Sequence, residues 1–282
     1  MEICFNKNYH LGQPISQTAY SKVYKATEIN SGRFFCIKEI DLSVVPEKVA
    51  QMKLLSAVNA EAQTLAQAGD KIAKIPCLFD SYHDRTHNKF YIIMQWIEGT
   101  SLRKSMACKP STFLAYILRL AEILQELHKL HIYHKDIKPE NVIVVGKDVR
   151  LIDFNISLTL PNTIDGTPVY AAPEMQTPDG TVTRKHCDVF SLGVMLYEYF
   201  TGEAPINGIH YAPDFMEPDN ACWDVFLSAK ELAQKKGLPP VNEKIDQIIT
   251  KCMQKTPSAR YETMDAFIHQ MRQAMRCYND KR

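Results

Sequence analysis

Residues 131–155 read HIYHKDIKPENVIVVGKDVRLIDFN, and no other stretch limits the fold as much. Two short apolar runs, NVIVV and VRLID, flank Gly146-Lys147-Asp148 and predict a β-hairpin. Asp136, Lys138 and Asn141 precede the first run, and Asp153 closes the second. A hairpin returns its two ends to one place, so two carboxylates, an amide and an ammonium converge on a small volume. Structural ion pairs rarely need that mix. A divalent metal holding phosphate oxygens does, because it takes oxygen ligands and leaves phosphate charge for a cation to neutralise.

The chain on either side divides by character. The first third predicts five strands, YHLGQPIS, SKVYKATEI, RFFCIKEI, PCLFDSY and KFYIIMQWI, with turns at Asn30-Ser31-Gly32 and at Asp84 to Asn88. One helix interrupts them, starting near Pro46, carrying Val49, Met52, Leu55 and Val58 and then Glu61 and Leu65, and stopping at Gly69. After Gly99 the pattern turns helical. Ser111 can cap a helix striped with Phe113, Leu114, Ile117, Leu118, Ala121, Leu124 and Leu127. Residues 187–201 predict a helix apolar nearly all round, hence central, and 205–220 a long surface loop. Helices near 220–236, 242–254 and 262–278 follow.

Within FFCIKEI, alternation puts Phe34, Cys36, Lys38 and Ile40 on one strand face. Lysine on such a face either snorkels to water or meets a negative charge, since burying an unpaired ammonium is costly. The seven residues alone do not choose between these.

Composition narrows the partners. The formal net charge is +1 over 282 residues, which gives no electrostatic footprint for nucleic acid or an anionic membrane. The opening MEICFNKNYHLGQ has no basic start followed by an apolar core, and the most apolar stretches are too short or too interrupted to span a bilayer. A soluble, cytoplasmic protein without a membrane anchor is expected. The cysteines are scattered with no C-x-x-C pair, as in buried free thiols of a reducing compartment. His128, His131 and His134 have a spacing that fits no common zinc site, and no cysteine or carboxylate completes them.

The ordered motifs carry a resemblance. H-K-D-I-K-P-E-N is similar to the H-R-D-x-K-x-x-N catalytic loop of protein kinases, and Asp153-Phe154-Asn155 to their D-F-G. GTPVYAAPE contains the A-P-E triplet at Ala172-Pro173-Glu174, DVFSLGV resembles the buried helix that follows, and PSAR ends at Arg260, which in that family pairs with the A-P-E glutamate. These markers fall in family order over nearly the whole chain. The resemblance implies an α+β, two-lobed kinase fold: an N-lobe over 1–96 with a five-stranded antiparallel sheet and one helix, and a mainly helical C-lobe over 97–282. A single catalytic domain over 1–282 with no extra domains is expected.

It also implies roles. Lys38 contacts the α- and β-phosphates of ATP and pairs with Glu61. Asp136 orients the substrate hydroxyl and accepts its proton, Lys138 neutralises the γ-phosphate, and Asn141 and Asp153 hold Mg²⁺ (or Mn²⁺). Ile15, Val23, Cys36 and Ile143 contact the nucleotide, Met94 is the gatekeeper, and Gln95, Trp96 and Ile97 form the hinge. His134 packs beneath Phe154. Thr163 stands at the usual activation-loop phosphosite, with Ser157 and Thr159 behind it, and Thr167 contacts Asp136 and Lys138. Lys138 favours serine/threonine acceptors on a protein substrate. Glu140 and Glu198 stand where basic-directed members hold an arginine two residues before the acceptor.

The chain departs from the family in three places. The three phosphate-loop glycines fall at Ser16, Thr18 and Ser21, so ISQTAYSKV has none. That stiffer turn should weaken the hold on ATP by roughly 1–2 kcal/mol, about tenfold. Asn155 replaces the D-F-G glycine, a tolerable change for a residue that enters left-handed conformations. Lys135 replaces arginine and lacks its bidentate fork. These departures keep a second reading, a kinase-fold nucleotide-binding scaffold with little phosphotransfer. A small-molecule phosphotransferase would share H-x-D-x-x-x-x-N but lack GTPVYAAPE and the Glu174–Arg260 partners.

Overall fold

The computed structural model describes residues 3–5, 8–154, 168–175, 184–205 and 227–279. The chain divides into two compact units, Met1–Gly99 with Ile152–Thr163, and Thr100–Leu151 with Ile164–Arg282.

The first unit is an antiparallel sheet and one helix. Its strands are β1 (Ile3–Phe5), β2 (Tyr9–Gln17), β3 (Ser21–Glu28), β4 (Phe34–Asp41), β5 (Leu78–Asp84) and β6 (Lys89–Gln95), in the order β1-β2-β3-β4-β6-β5. All five expected strands form, and the three-residue β1 adds to the outer edge of β2. Both turns form as read: Gly32 takes φ +69°, while Asn88 takes φ +52° after Asp84 has accepted from the Thr86 and His87 amides. One sheet face buries Leu11, Tyr24, Ala26, Phe35, Ile37, Tyr91 and Ile93 as a cluster.

Helix α1 (Lys48–Gly69) ends at the glycine the sequence marks. A Cβ on Gly69 would lie 2.6 Å from the Pro76 carbonyl oxygen, so only glycine lets the next strand's approach come so close. The expected apolar stripe needs correction. Val49 is 65% and Met52 71% exposed and Leu55 is half-buried, while Leu54, Val58, Glu61 and Leu65 face inward. The helix has turned by the requirement that Glu61 reach the sheet.

The second unit is mostly helical. A small sheet, β7 (Thr100–Ser101), β8 (Val142–Val145) and β9 (Asp148–Leu151), contains the expected hairpin, turned at Gly146 with φ +62°. Its helices are α2 (Leu102–Ser105), α3 (Pro110–Lys129), α4 (Cys187–Thr201), α5 (Ala229–Lys235), α6 (Glu243–Cys252) and α7 (Met264–Asn279). Ser111 does not cap α3: Lys109 is the N-cap and Pro110 takes the first turn, where its missing N–H costs nothing. Helix α4 is buried over most of its length, as its all-round apolarity requires. A Cβ on Gly193 would sit 2.6 Å from the Cys252 Cβ, so this glycine sets the approach of α4 to α6. The expected loop at 205–220 lies outside the described residues after position 205.

Candidate active site

In the first unit, strand register brings one set of candidate residues together. Lys38 stands opposite Val23 on β3 and Ile92 on β6, and Cys36 stands opposite Met94. Directly opposed residues share a face, so Val23, Cys36, Lys38 and Met94 line the sheet face opposite the aromatic cluster. Lys38 does not snorkel. It is 7% exposed, and its Nζ donates to Glu61 Oε1 at 2.7 Å and to Asp153 Oδ1 at 2.7 Å. Three elements distant in sequence thus meet at one ammonium.

The electrostatics follow from that geometry. Burial works to deprotonate Lys38, but the Asp153 and Glu61 carboxylates outweigh it and hold the ammonium well above the usual lysine range. Burial raises the Glu61 carboxyl, with the Lys38 charge opposing. One cation facing two carboxylates leaves a net negative charge, carried on the solvent side by Asp153, whose side chain is 36% exposed. Asp153 also holds φ +61°, a conformation that residues other than glycine rarely adopt and that concentrates at functional sites. Burial pushes the Cys36 thiol up to about 12, with the Asp153 charge adding to it, so this cysteine is inert at neutral pH.

The remaining nucleotide-facing candidates are more open. Ile15 is 56% exposed on β2, Gln95 is exposed, and Ile97 is half-buried. The Gln95 N–H donates to the Cys77 carbonyl at 2.9 Å, which fixes the end of β6. Sequence reasoning missed a latch beside it. Lys25 pairs with Glu98 at 3.1 Å and lies over the rings of Phe34 and Trp96, while Trp96 Nε1 donates to the same carboxylate at 2.6 Å. Alternation already put Lys25 on the Val23 face and could have signalled it.

The second unit holds the catalytic-loop candidates. Lys138 Nζ donates to Asp136 Oδ2 at 2.8 Å, and Asn141 Nδ2 donates to the same oxygen at 3.0 Å and to the Asp136 carbonyl at 2.9 Å. A 3₁₀ turn at Pro139–Asn141 folds the segment back so that these side chains meet. Ile143 follows on β8, half-buried and opposite Ser101.

Asp188, which sequence reasoning did not single out, pins the loop from beneath. Fully buried on α4, it accepts from the backbone N–H of His134 at 3.0 Å and of Lys135 at 2.8 Å, and pairs with His128 Nε2 at 2.8 Å. Burial works to raise its carboxyl, but the His128 bond and charge lead the groups that hold it below the ordinary aspartate value. Lys135 has φ +68°, a strained turn that the Asp188 bond secures. His134 is buried, and its Nδ1 meets the Asp136 N–H at 3.4 Å. The signal was present: an acid in the first turn of a helix apolar nearly all round must have donors waiting for it.

Two arginines complete this unit. Arg260 and Glu174 form the pair the resemblance implies, bidentate at 2.6 and 2.9 Å and buried. Arg103 joins Glu140 through Nε at 2.6 Å and Glu198 through Nη1 at 2.7 Å, and also contacts the Tyr170 hydroxyl, which donates to Glu198. The two glutamates read as a basic-residue subsite are therefore occupied from within the chain. Asn155, Ser157, Thr159, Thr163 and Thr167 lie outside the described residues.

Among the described residues, no group of three or more His, Cys, Asp or Glu side chains could hold a metal ion. The Asp153 carboxylate and the Asn141 amide are hard oxygen donors of the kind Mg²⁺ takes alongside phosphate oxygens. Among the described residues no helix is long and apolar enough to cross a membrane.

Comparison with known proteins identifies the family. The family model for the protein kinase domain matches residues 9–271. A probable serine/threonine-protein kinase of Clostridium perfringens is 28% identical over 92% of this chain and 37% of its own length. An Aurora kinase of Schizosaccharomyces pombe is 29% identical over 70% of this chain and 55% of its own. The serine/threonine-protein kinase PrkC of Bacillus subtilis is 29% identical over 62% of this chain and 28% of its own. The chain thus spans between about a quarter and about half the length of these relatives. With the family model covering nearly all of it and the motifs in order, the chain belongs to the protein kinase domain family.

Proposed function

We propose that the chain is an ATP-dependent serine/threonine protein kinase that transfers the γ-phosphoryl group to protein hydroxyls. The observation that carries this reading is the buried Lys38, fixed between Glu61 and Asp153 instead of reaching water. Stability alone does not call for a lysine buried against two carboxylates, since apolar residues of similar volume often serve as well.

In this reading Lys38 positions the α- and β-phosphates, while Val23, Cys36 and Met94, with Ile15 and Ile143, enclose the adenine near the Gln95–Ile97 hinge. Asn141 and Asp153 would hold Mg²⁺ (or Mn²⁺), which would supply neutralisation of phosphate charge when bound. Asp136 accepts the proton of the acceptor hydroxyl, and Lys138 supports the γ-phosphate. Asn141 and Lys138 already hold the Asp136 carboxylate in one orientation. Proximity and fixed charge supply most of the rate in such transfers. Phosphate on Thr163 would add nearly two negative charges for a cation such as Lys135 to attract. With Arg103 on Glu140 and Glu198, acceptors need no upstream arginine. A cytoplasmic location accords with the neutral charge balance.

The glycine-free turn at Ser16–Ser21 favours a second reading, a nucleotide-binding scaffold without transfer. Incubating the chain with Mg-ATP and mapping new phosphosites separates the two. Phosphoserine or phosphothreonine in the wild type, absent in Asp136→Asn, is the expected result. Equal labelling of both proteins contradicts the assignment of Asp136, and no labelling of the wild type with intact nucleotide binding selects the scaffold.

A further inference from the structure

The turn between β2 and β3 is closed on itself by one hydroxyl. Thr18 Oγ1 lies 3.1 Å from the Ser21 amide nitrogen, 3.4 Å from that of Tyr20 and 2.8 Å from Ser21 Oγ. A hydroxyl oxygen has two lone pairs and one proton. Accepting both N–H groups and donating to Ser21 Oγ therefore saturates it. The Thr18 N–H is also engaged, donating to the Ser21 carbonyl at 2.8 Å, and the Tyr20 carbonyl accepts from the Asp41 N–H at 2.8 Å.

The backbone shape agrees. Among the described residues, positive φ outside glycine occurs only at Asn88, His131, Lys135 and Asp153, so nothing between Ser16 and Ser21 enters the left-handed region. A backbone concavity that cups an anion needs neighbouring residues of opposite hand, so that successive N–H groups point the same way. This turn has one hand only, and its amides converge on a side chain instead.

We propose that Thr18 is a built-in competitor for phosphate. Its hydroxyl occupies the Tyr20 and Ser21 amides that would otherwise reach the nucleotide's phosphates, so this turn covers the nucleotide without gripping it. Phosphate binding then falls to Lys38. The inference rests on the kinase reading above, and it turns the missing glycines from a simple loss of flexibility into a specific hydrogen-bonded closure. Thr18 is a positioning residue here, acting through the backbone it ties up.

The test uses Thr18→Val, which keeps the branched shape and removes the hydroxyl, and Thr18→Ser, which keeps the hydroxyl. Calorimetry with Mg-ATP and with adenosine reads the outcome. Freeing the amides should tighten Mg-ATP about fivefold in Thr18→Val, as one ordinary hydrogen bond would. Adenosine affinity should not move, and Thr18→Ser should match the wild type. If Thr18→Val is no tighter, or if adenosine tightens equally, the proposal is overturned while the kinase reading stands. If the wild type binds no Mg-ATP, both are overturned. Amide spectra of the wild type supply an independent check: the Tyr20 and Ser21 N–H resonances should stay unshifted on Mg-ATP addition, and large shifts there contradict the closure even if the valine variant misfolds.

Discussion

The two charged clusters are built in opposite ways. Lys38, Glu61 and Asp153 come from a strand, a helix and the segment after a hairpin, 23 and 115 residues apart in sequence, and the lysine and glutamate are almost wholly buried. Asp136, Lys138 and Asn141 lie within one short loop, and the paired side chains keep 17% and 14% exposure. The first cluster exists only because the sheet, the helix and the loop all fold. The second is set by a local turn and needs tertiary structure mainly at its anchor, Asp188. Charge in the first region is thus tied to stability, and charge in the second is left available for chemistry.

The largest effect should come from breaking the buried cluster. Lys38→Met leaves Glu61 buried and uncompensated, which should cost about 3–5 kcal/mol at neutral pH by urea unfolding. The sign with pH follows from Glu61. Its folded pKa is raised, chiefly by burial, so the protonated form favours folding and the charged form opposes it. The deficit should therefore shrink as pH falls toward the carboxylate range. Asp136→Asn should cost less, about 1 kcal/mol, since its side chain keeps 17% exposure and an amide oxygen can still accept from Lys138 and Asn141. Equal destabilisation by both would erase the contrast.

Asp188→Asn sharpens the contrast from the other side, because this acid is the buried part of the second region. A loss of about 2 kcal/mol is expected at pH 7, from bonds to a charged acceptor. The Asp188 pKa is depressed in the folded state, so its contribution is present above the unfolded aspartate value and fades as pH falls through the folded one. The gap between wild type and variant should narrow in acid and stay level from neutral pH upward.

How much of this was legible in the sequence depended on separation. The β8–β9 hairpin and its flanking Asp136, Lys138 and Asn141 could be read directly, because turn chemistry and strand alternation act within a few residues. Lys38 could be placed on the face of Cys36, but its partners could not be derived from seven residues, and only the ordered motifs pointed to Glu61. Helix α1 shows the limit well. Val49, Met52 and Leu55 make an acceptable apolar stripe, yet Val49 and Met52 face water, since the reach of Glu61 to Lys38 and not the count of apolar residues decides the rotation. Arg103 escaped for a similar reason: its partners Glu140, Tyr170 and Glu198 lie 37, 67 and 95 residues away.

The smallest effect concerns that arginine. Arg103→Ala would uncover the Glu140 and Glu198 carboxylates. On a peptide array the wild type should show no preference for arginine upstream of the acceptor, and the variant should gain one of about threefold, the modest value of partly exposed ion pairs. A wild type that already prefers upstream arginine would mean that Arg103 does not hold those carboxylates in solution.

The division of labour between the two clusters is tested most directly by measuring Mg-ATP affinity and phosphotransfer rate side by side in Lys38→Met and Asp136→Asn. Asp136→Asn should keep its affinity within about twofold and lose about a hundredfold or more in rate, as removal of a proton acceptor does. Lys38→Met should lose affinity as well as rate. If both variants weaken Mg-ATP alike, or if Asp136→Asn transfers phosphate at the wild-type rate, the two clusters do not divide the work as described.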